Sequence, residues 1–200
     1  ESNESQGILS IIIMISLGLI ALFFMDRVGW DTIPVLRWWL TILVLGLAAY
    51  PLTASMFSRF RGKGYAFSKA VGVLLPSFII WTLVYLKILP LNIVSISLSV
   101  ILLGAVSWGY EKTRNHALEA IKTTKHRDEI IIIELMFLVA LLILTYIKGF
   151  FPEINGEEKF MDFAFLNSLV RTNTLPAPDP WLAGRSINYY YYGQYIYAFI

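Results

Sequence analysis

Five apolar runs, each close to the length needed to cross a bilayer, dominate this sequence. They cover Ile8–Met25, Val35–Phe57, Ala70–Leu86, Leu91–Tyr110 and Ile130–Ile147. About 20 apolar residues at 1.5 Å rise span a hydrocarbon core. Pro51 and Pro76 fall inside two of the runs. Such breaks are tolerated where neighbouring helices satisfy the freed carbonyls. A sixth run begins near Tyr190. The expected fold is therefore all-α: a polytopic transmembrane helical protein with five complete spans and the start of a sixth.

Composition agrees. Charged residues make up only 15% of the chain, against roughly 25% in soluble domains, and 57% are hydrophobic. A net charge of +2 with no basic stripe gives no footing for nucleic-acid binding. The absence of cysteine excludes disulfides and thiolate chemistry. The opening "ESNESQG" has no basic segment, so the first run reads as a span and not a signal peptide. The start at Glu1 and the end inside an apolar stretch read as one transmembrane domain, residues 1–200, from the N-terminal part of a longer protein.

Orientation follows the loop cations. Arg59, Arg61, Lys63, Lys69, Lys112, Arg114, Lys122, Lys125 and Arg127 lie on one side, nine of the sixteen. The other seven spread over longer loops. The N-terminus and the connector 111–129 are thus expected in the cytoplasm, with the loop 148–189 outside, in a cell membrane. His116 and His126 on the connector lack a carboxylate or cysteine at ligand spacing.

The long outer loop holds most of the chemistry. Met161, Phe165 and Leu169 form one helical stripe, predicting a helix over 157–171 that lies in the membrane interface with its apolar face toward lipid or protein. Glu158 and Asp162, four apart, share a face, with Lys159 beside them. Glu153, Glu157 and Asp179 add to the acidic group, and Arg171 and Arg185 are local cations. A solvated loop face is the plainest reading. The functional one is a site at the membrane surface. A carboxylate there serves as general base to an acceptor hydroxyl or binds a divalent cation, and Arg185 or Arg171 grips a phosphate. Prolines 176, 178 and 180 fix an extended path to Trp181 and the run Tyr189–Tyr192, whose rings suit the headgroup level. Gly193 after the run is expected to mark a close backbone approach.

The stretches "GEEKFMDFAFLNSLVRT" and "LPAPDPWLAGRSINYYYYGQY" carry a family resemblance. So do "RWWL" at Arg37–Leu40, "GYAFSK" at Gly64–Lys69 and Glu134. Together they resemble the "YYY" family of polytopic membrane proteins of Chloroflexi and archaea, a domain of unknown function. That family is distantly similar to the C-type glycosyltransferases, which use polyprenyl-phosphate sugars. The resemblance implies a catalytic role for Asp162, with Glu158 and Glu157. It implies donor contacts from Lys159, Arg185, Arg171, Asp179, Trp181, Asn188, Tyr189, Tyr190, Tyr191, Tyr192 and Gln194. It also implies Asp162 as ligand of a divalent cation, Mg or Mn, although the strict Asp-x-Asp pattern of some C-type enzymes is absent. Membrane lipids and a polyprenyl-phosphate-sugar donor are the expected partners.

Two other readings compete. A transporter or lipid-translocating protein would give weight to Glu134, an ionisable group within a span. The plainer reading sets Glu134 about one turn inside the boundary, snorkelling toward Asp128 and Glu129. A non-catalytic scaffold would tolerate loss of the loop carboxylates.

Overall fold

A computed structural model of the protein describes residues 32–156 and 158–200. Among the described residues the regular structure is helical: α1 (Thr32–Met56), a 3-10 turn (Arg61–Gly64), α2 (Tyr65–Tyr85), α3 (Ile93–Gly109), α4 (Glu111–Lys122), α5 (Thr124–Gly149), α6 (Lys159–Arg171) and α7 (Tyr192–Phe199). The residues fall into two compact units, with the division inside α1 and α5. The larger takes Leu40–Phe137 and Glu153–Ile200; the smaller takes 32–39 and 138–152.

Four of the five expected spans fall on the described residues. Among those residues three stretches are long and apolar enough to cross a membrane: Thr32–Met56, Arg61–Tyr85 and Thr124–Gly149. The run Leu91–Tyr110 yields only the 17-residue α3, which qualifies as a fourth span only together with α4, bent from it by 82°. Asn92 stops α3 at its start, its side chain accepting a 2.9 Å bond from the Ser95 amide. The run Ile8–Met25 lies outside the described residues. The connector is helical, and Tyr110 and Thr123 break it into α4 and the first turns of α5.

Pro51 does not break α1, and the reason is visible. Proline removes the amide that would bond the Leu47 carbonyl. The indole of Trp108 on α3 donates to that carbonyl at 3.0 Å. One residue along, Ser107 donates to the Ala48 carbonyl. Ser95, Ser99, Leu103 and Ser107 form the buried stripe of α3, and its small side chains permit close helix contact. The opposite face, with Ile93, Val94, Leu98, Ile101 and Val106, is exposed as lipid contact would require.

α1 and α2 approach still more closely at Gly72, where an added Cβ would sit 2.1 Å from the Leu45 carbonyl oxygen. Backbone cannot yield as a side chain can, so Gly72→Ala is expected to destabilise by about 3 kcal/mol, the upper end for overpacking. Thermal unfolding of the purified protein in detergent measures this.

The main core of the larger unit joins α2 to the outer loop. Ile80 and Val84 meet Phe165 and Leu169 of α6, Leu175, Ala177 and Ile187 of the following segment, and Tyr191, Tyr195 and Phe199. Tyr195 is fully buried and donates to the Ser77 carbonyl at 2.9 Å. The predicted loop helix is thus present within two residues of its expected start. Phe165 and Leu169 of its stripe are buried and Met161 is half-buried against the same core, so of the two expected surroundings, lipid or protein, this face meets protein.

Candidate functional site

α6 is anchored by Phe165 and Leu169, and this fixes what its other faces present. Glu158 and Asp162 stand one turn apart, with the Asp162 amide bonded to the Glu158 carbonyl at 2.9 Å. Asp162 is exposed, and its Oδ1 accepts a 2.7 Å bond from Nε2 of Gln194, in the first turn of α7. That bond ties the two ends of the outer loop together and orients the carboxylate. Among the described residues its second oxygen has no hydrogen-bond partner and is open to a proton or a cation.

The tyrosine run divides into two pairs. Helix α7 begins only at Tyr192, so Tyr189–Tyr191 do not follow a helical wheel. Tyr189 and Tyr190 are exposed and stacked, with ring centroids 4.1 Å apart, and the Tyr189 hydroxyl donates to that of Tyr190 at 2.9 Å. Tyr191 and Tyr192 turn inward onto Trp81, each with centroids 5.1 Å from it.

The outer pair lies in the field of the helix carboxylates. The Tyr189 phenol is pushed up to about 12, first by its bond to Tyr190, then by partial desolvation and by the negative charges of Tyr190, Glu158 and Asp162. Tyr189 therefore keeps its proton, and its role as donor, across the whole neutral range. In Tyr190→Phe the bond is lost and the midpoint of Tyr189 is expected to fall toward the ordinary ~10. An NMR titration of ring-labelled tyrosine checks this.

Other predicted site residues lie elsewhere. Arg171 is nine residues from Asp162, half a turn round α6 and roughly 13 Å along it, so the two do not converge. The Asp179 carboxylate caps its own turn, accepting from the amides of Trp181 and Leu182 at 2.8 and 3.0 Å. The turn is closed by the Asp179 amide on the Arg185 carbonyl at 2.8 Å, and Gly184 supplies a positive φ of 78° within it. Trp181 packs edge-on against Phe165, centroids 5.6 Å apart. Arg185 and Asn188 are exposed in this segment, and Lys159 is the exposed first residue of α6. Glu157 lies outside the described residues. Gly193 does not mark a close approach: a Cβ there would meet nothing within 4 Å, because the residue faces outward at the start of α7.

A second polar cluster, at the far end of α2, was only partly visible in the sequence. The turn Arg61–Gly64 holds Gly62, Lys63 and Gly64 at positive φ, and the Gly62 amide donates to Glu129 Oε2 at 2.7 Å. Lys63 pairs with Glu119 at 2.7 Å, and His126 contacts Glu129 at 3.1 Å. Glu134 does not reach toward Asp128 and Glu129. It accepts from the Tyr65 hydroxyl at 2.7 Å and pairs with Lys69. Among the described residues three of the nine cations that set the charge bias, Lys63, Lys69 and Arg127, are engaged in ion pairs, Arg127 with Asp128 at 3.8 Å.

Residues 75–200, well over half the chain, match the family described as "Uncharacterized membrane protein (DUF2298)". The chain belongs to this family. The match covers α6, the proline-bearing segment and the tyrosine run, while "RWWL" and "GYAFSK" lie outside it. No curated protein and no solved structure matches the chain. This family member is accordingly a membrane protein, with its exposed carboxylate site inside the matched region.

Proposed function

We propose that this protein transfers a sugar from a polyprenyl-phosphate-linked donor at the extracytoplasmic membrane face, with Asp162 as the reacting carboxylate. The observation that carries the reading is the convergence of Asp162, Glu158, Gln194 and the Tyr189–Tyr190 pair on one side of a loop that joins two apolar helices. Gln194 holds one oxygen of Asp162, leaving the other to take a proton from an acceptor hydroxyl. A stacked phenol pair offers a flat face to a sugar ring and hydroxyls to its edge. Burial of Tyr191 and Tyr192 against Trp81 supports a rigid base for that pair.

The carboxylates also fit a Mg²⁺ or Mn²⁺ ion. Such ions keep several waters and commonly take one or two carboxylates together with substrate phosphates, and Asp162 and Glu158 supply that pair. When bound, the ion would neutralise the donor phosphate; the chain's own part would be to hold it through these two side chains.

The test uses membranes containing the full-length protein and a donor with a labelled sugar. Label is expected to move to an acceptor with wild type and not with Asp162→Asn. An EDTA arm separates the two roles of Asp162: transfer that survives chelation assigns it as base, and transfer that stops assigns it as metal ligand. Equal transfer by wild type and Asp162→Asn would end the reading.

A further inference from the structure

The face of α6 turned away from Asp162 borders a cleft of about 660 Å³, closed on its other side by Pro178, Asp179 and Pro180. Small-molecule sites have volumes of roughly 300–1,000 Å³. The cleft is built and not incidental: the Ser168 hydroxyl donates to the Pro178 carbonyl at 2.5 Å, and the Asp179 turn holds the facing wall.

Its polar groups are left available. The Arg171 guanidinium makes no hydrogen bond or ion pair among the described residues. Asp179 uses only Oδ1 in its turn, so Oδ2 is unbonded among the described residues. Asn167 donates one N–H to the Phe163 carbonyl at 2.8 Å, and among the described residues its oxygen is open as an acceptor. The Phe163 ring, 49% exposed, lies on the same wall. Planar donors and acceptors bind vicinal hydroxyls in pairs, and an aromatic face takes the C–H side of a sugar ring. The opposed charges of Arg171 and Asp179 disfavour an anion, which would meet the carboxylate unpaired.

We propose that this cleft binds a neutral, hydroxyl-rich ligand of the carbohydrate class. The binding stands on the cleft alone, half a turn round α6 from Asp162, and does not depend on the transfer reaction proposed above.

Saturation-transfer NMR on the full-length protein in nanodiscs tests this, with maltose, lactose and chitobiose as probes and inorganic phosphate as competitor. At least one disaccharide is expected to receive saturation, with binding weakened about ten-fold or more in Arg171→Lys and Asn167→Ala. Arg171→Lys keeps the charge and loses the fork. Asp162→Asn is expected to leave binding unchanged, so failure of transfer and failure of binding are told apart. Phosphate is expected not to compete. Saturation of none of the three probes, binding that survives both cleft variants, or displacement by phosphate would overturn the proposal.

Discussion

Replacing Glu134 by leucine is expected to destabilise the protein by about 3–5 kcal/mol, the cost of leaving a buried charge without its partner. Lys69 and Glu134 side chains are only 12% and 16% exposed. The ammonium of Lys69 lies 4.9 Å from the ring centroids of both Tyr65 and Phe137, so it is surrounded by aromatic faces once the carboxylate is gone. Those faces offset part of the loss, at about 0.5–2 kcal/mol each. Lys69→Met should cost a similar amount, because it takes the cation away from the Glu134 carboxylate, for which the hydrogen bond from the Tyr65 hydroxyl does not compensate. The double variant Lys69→Met/Glu134→Leu is expected to recover most of the stability, since an apolar pair replaces an ion pair with little net loss. Thermal unfolding of the four proteins in detergent reads the cycle. Additive single effects would mean that the two groups are not coupled. In a span-bearing chain this arrangement supports a holding role for Glu134, because its bonds to Tyr65 and Lys69 tie α5 to the start of α2.

Asp162→Asn is expected to lower sugar transfer about 10²–10⁴-fold, the usual contribution of a positioned proton acceptor. Asparagine is nearly isosteric and still accepts from Gln194 through its carbonyl oxygen, so the loop keeps its shape. What is lost is the basic oxygen and the negative charge. Gln194→Leu removes only the bond that orients Asp162, worth about 1 kcal/mol, and is expected to cost roughly ten-fold or less. The order Asp162→Asn, then Gln194→Leu, in assays of labelled transfer, distinguishes a reacting group from a positioning one. Retained folding of both variants, shown by unchanged unfolding temperature, excludes a merely structural loss.

Local spacing carried much of this picture. The stripe Met161, Phe165, Leu169 has a helical period, and the structure buries Phe165 and Leu169 on that face. The nine-residue separation of Asp162 and Arg171 already places them on opposite faces of any helix. Partners far apart in the chain were not legible. Lys69 and Glu134 lie 65 residues apart, and only the packing of α2 against α5 shows that they meet. Trp108 rescuing the carbonyl freed by Pro51 is of the same kind. The tyrosine run misled in a different way. Its four rings looked like a helix entry or an aromatic belt, yet α7 starts only at the fourth, and Trp81 draws the last two inward. Asp179 shows the reverse, since Asp before a turn commonly caps amides two and three residues on, and it does so here.

The most direct test is a structure of the full-length protein with a polyprenyl-phosphate sugar bound. The sugar and phosphate are expected beside Asp162, Glu158 and the Tyr189–Tyr190 pair, within hydrogen-bond reach of the open Asp162 oxygen. Density for the donor headgroup beside Glu134 and Lys69 instead would contradict a surface transferase and favour movement of lipid through the helices.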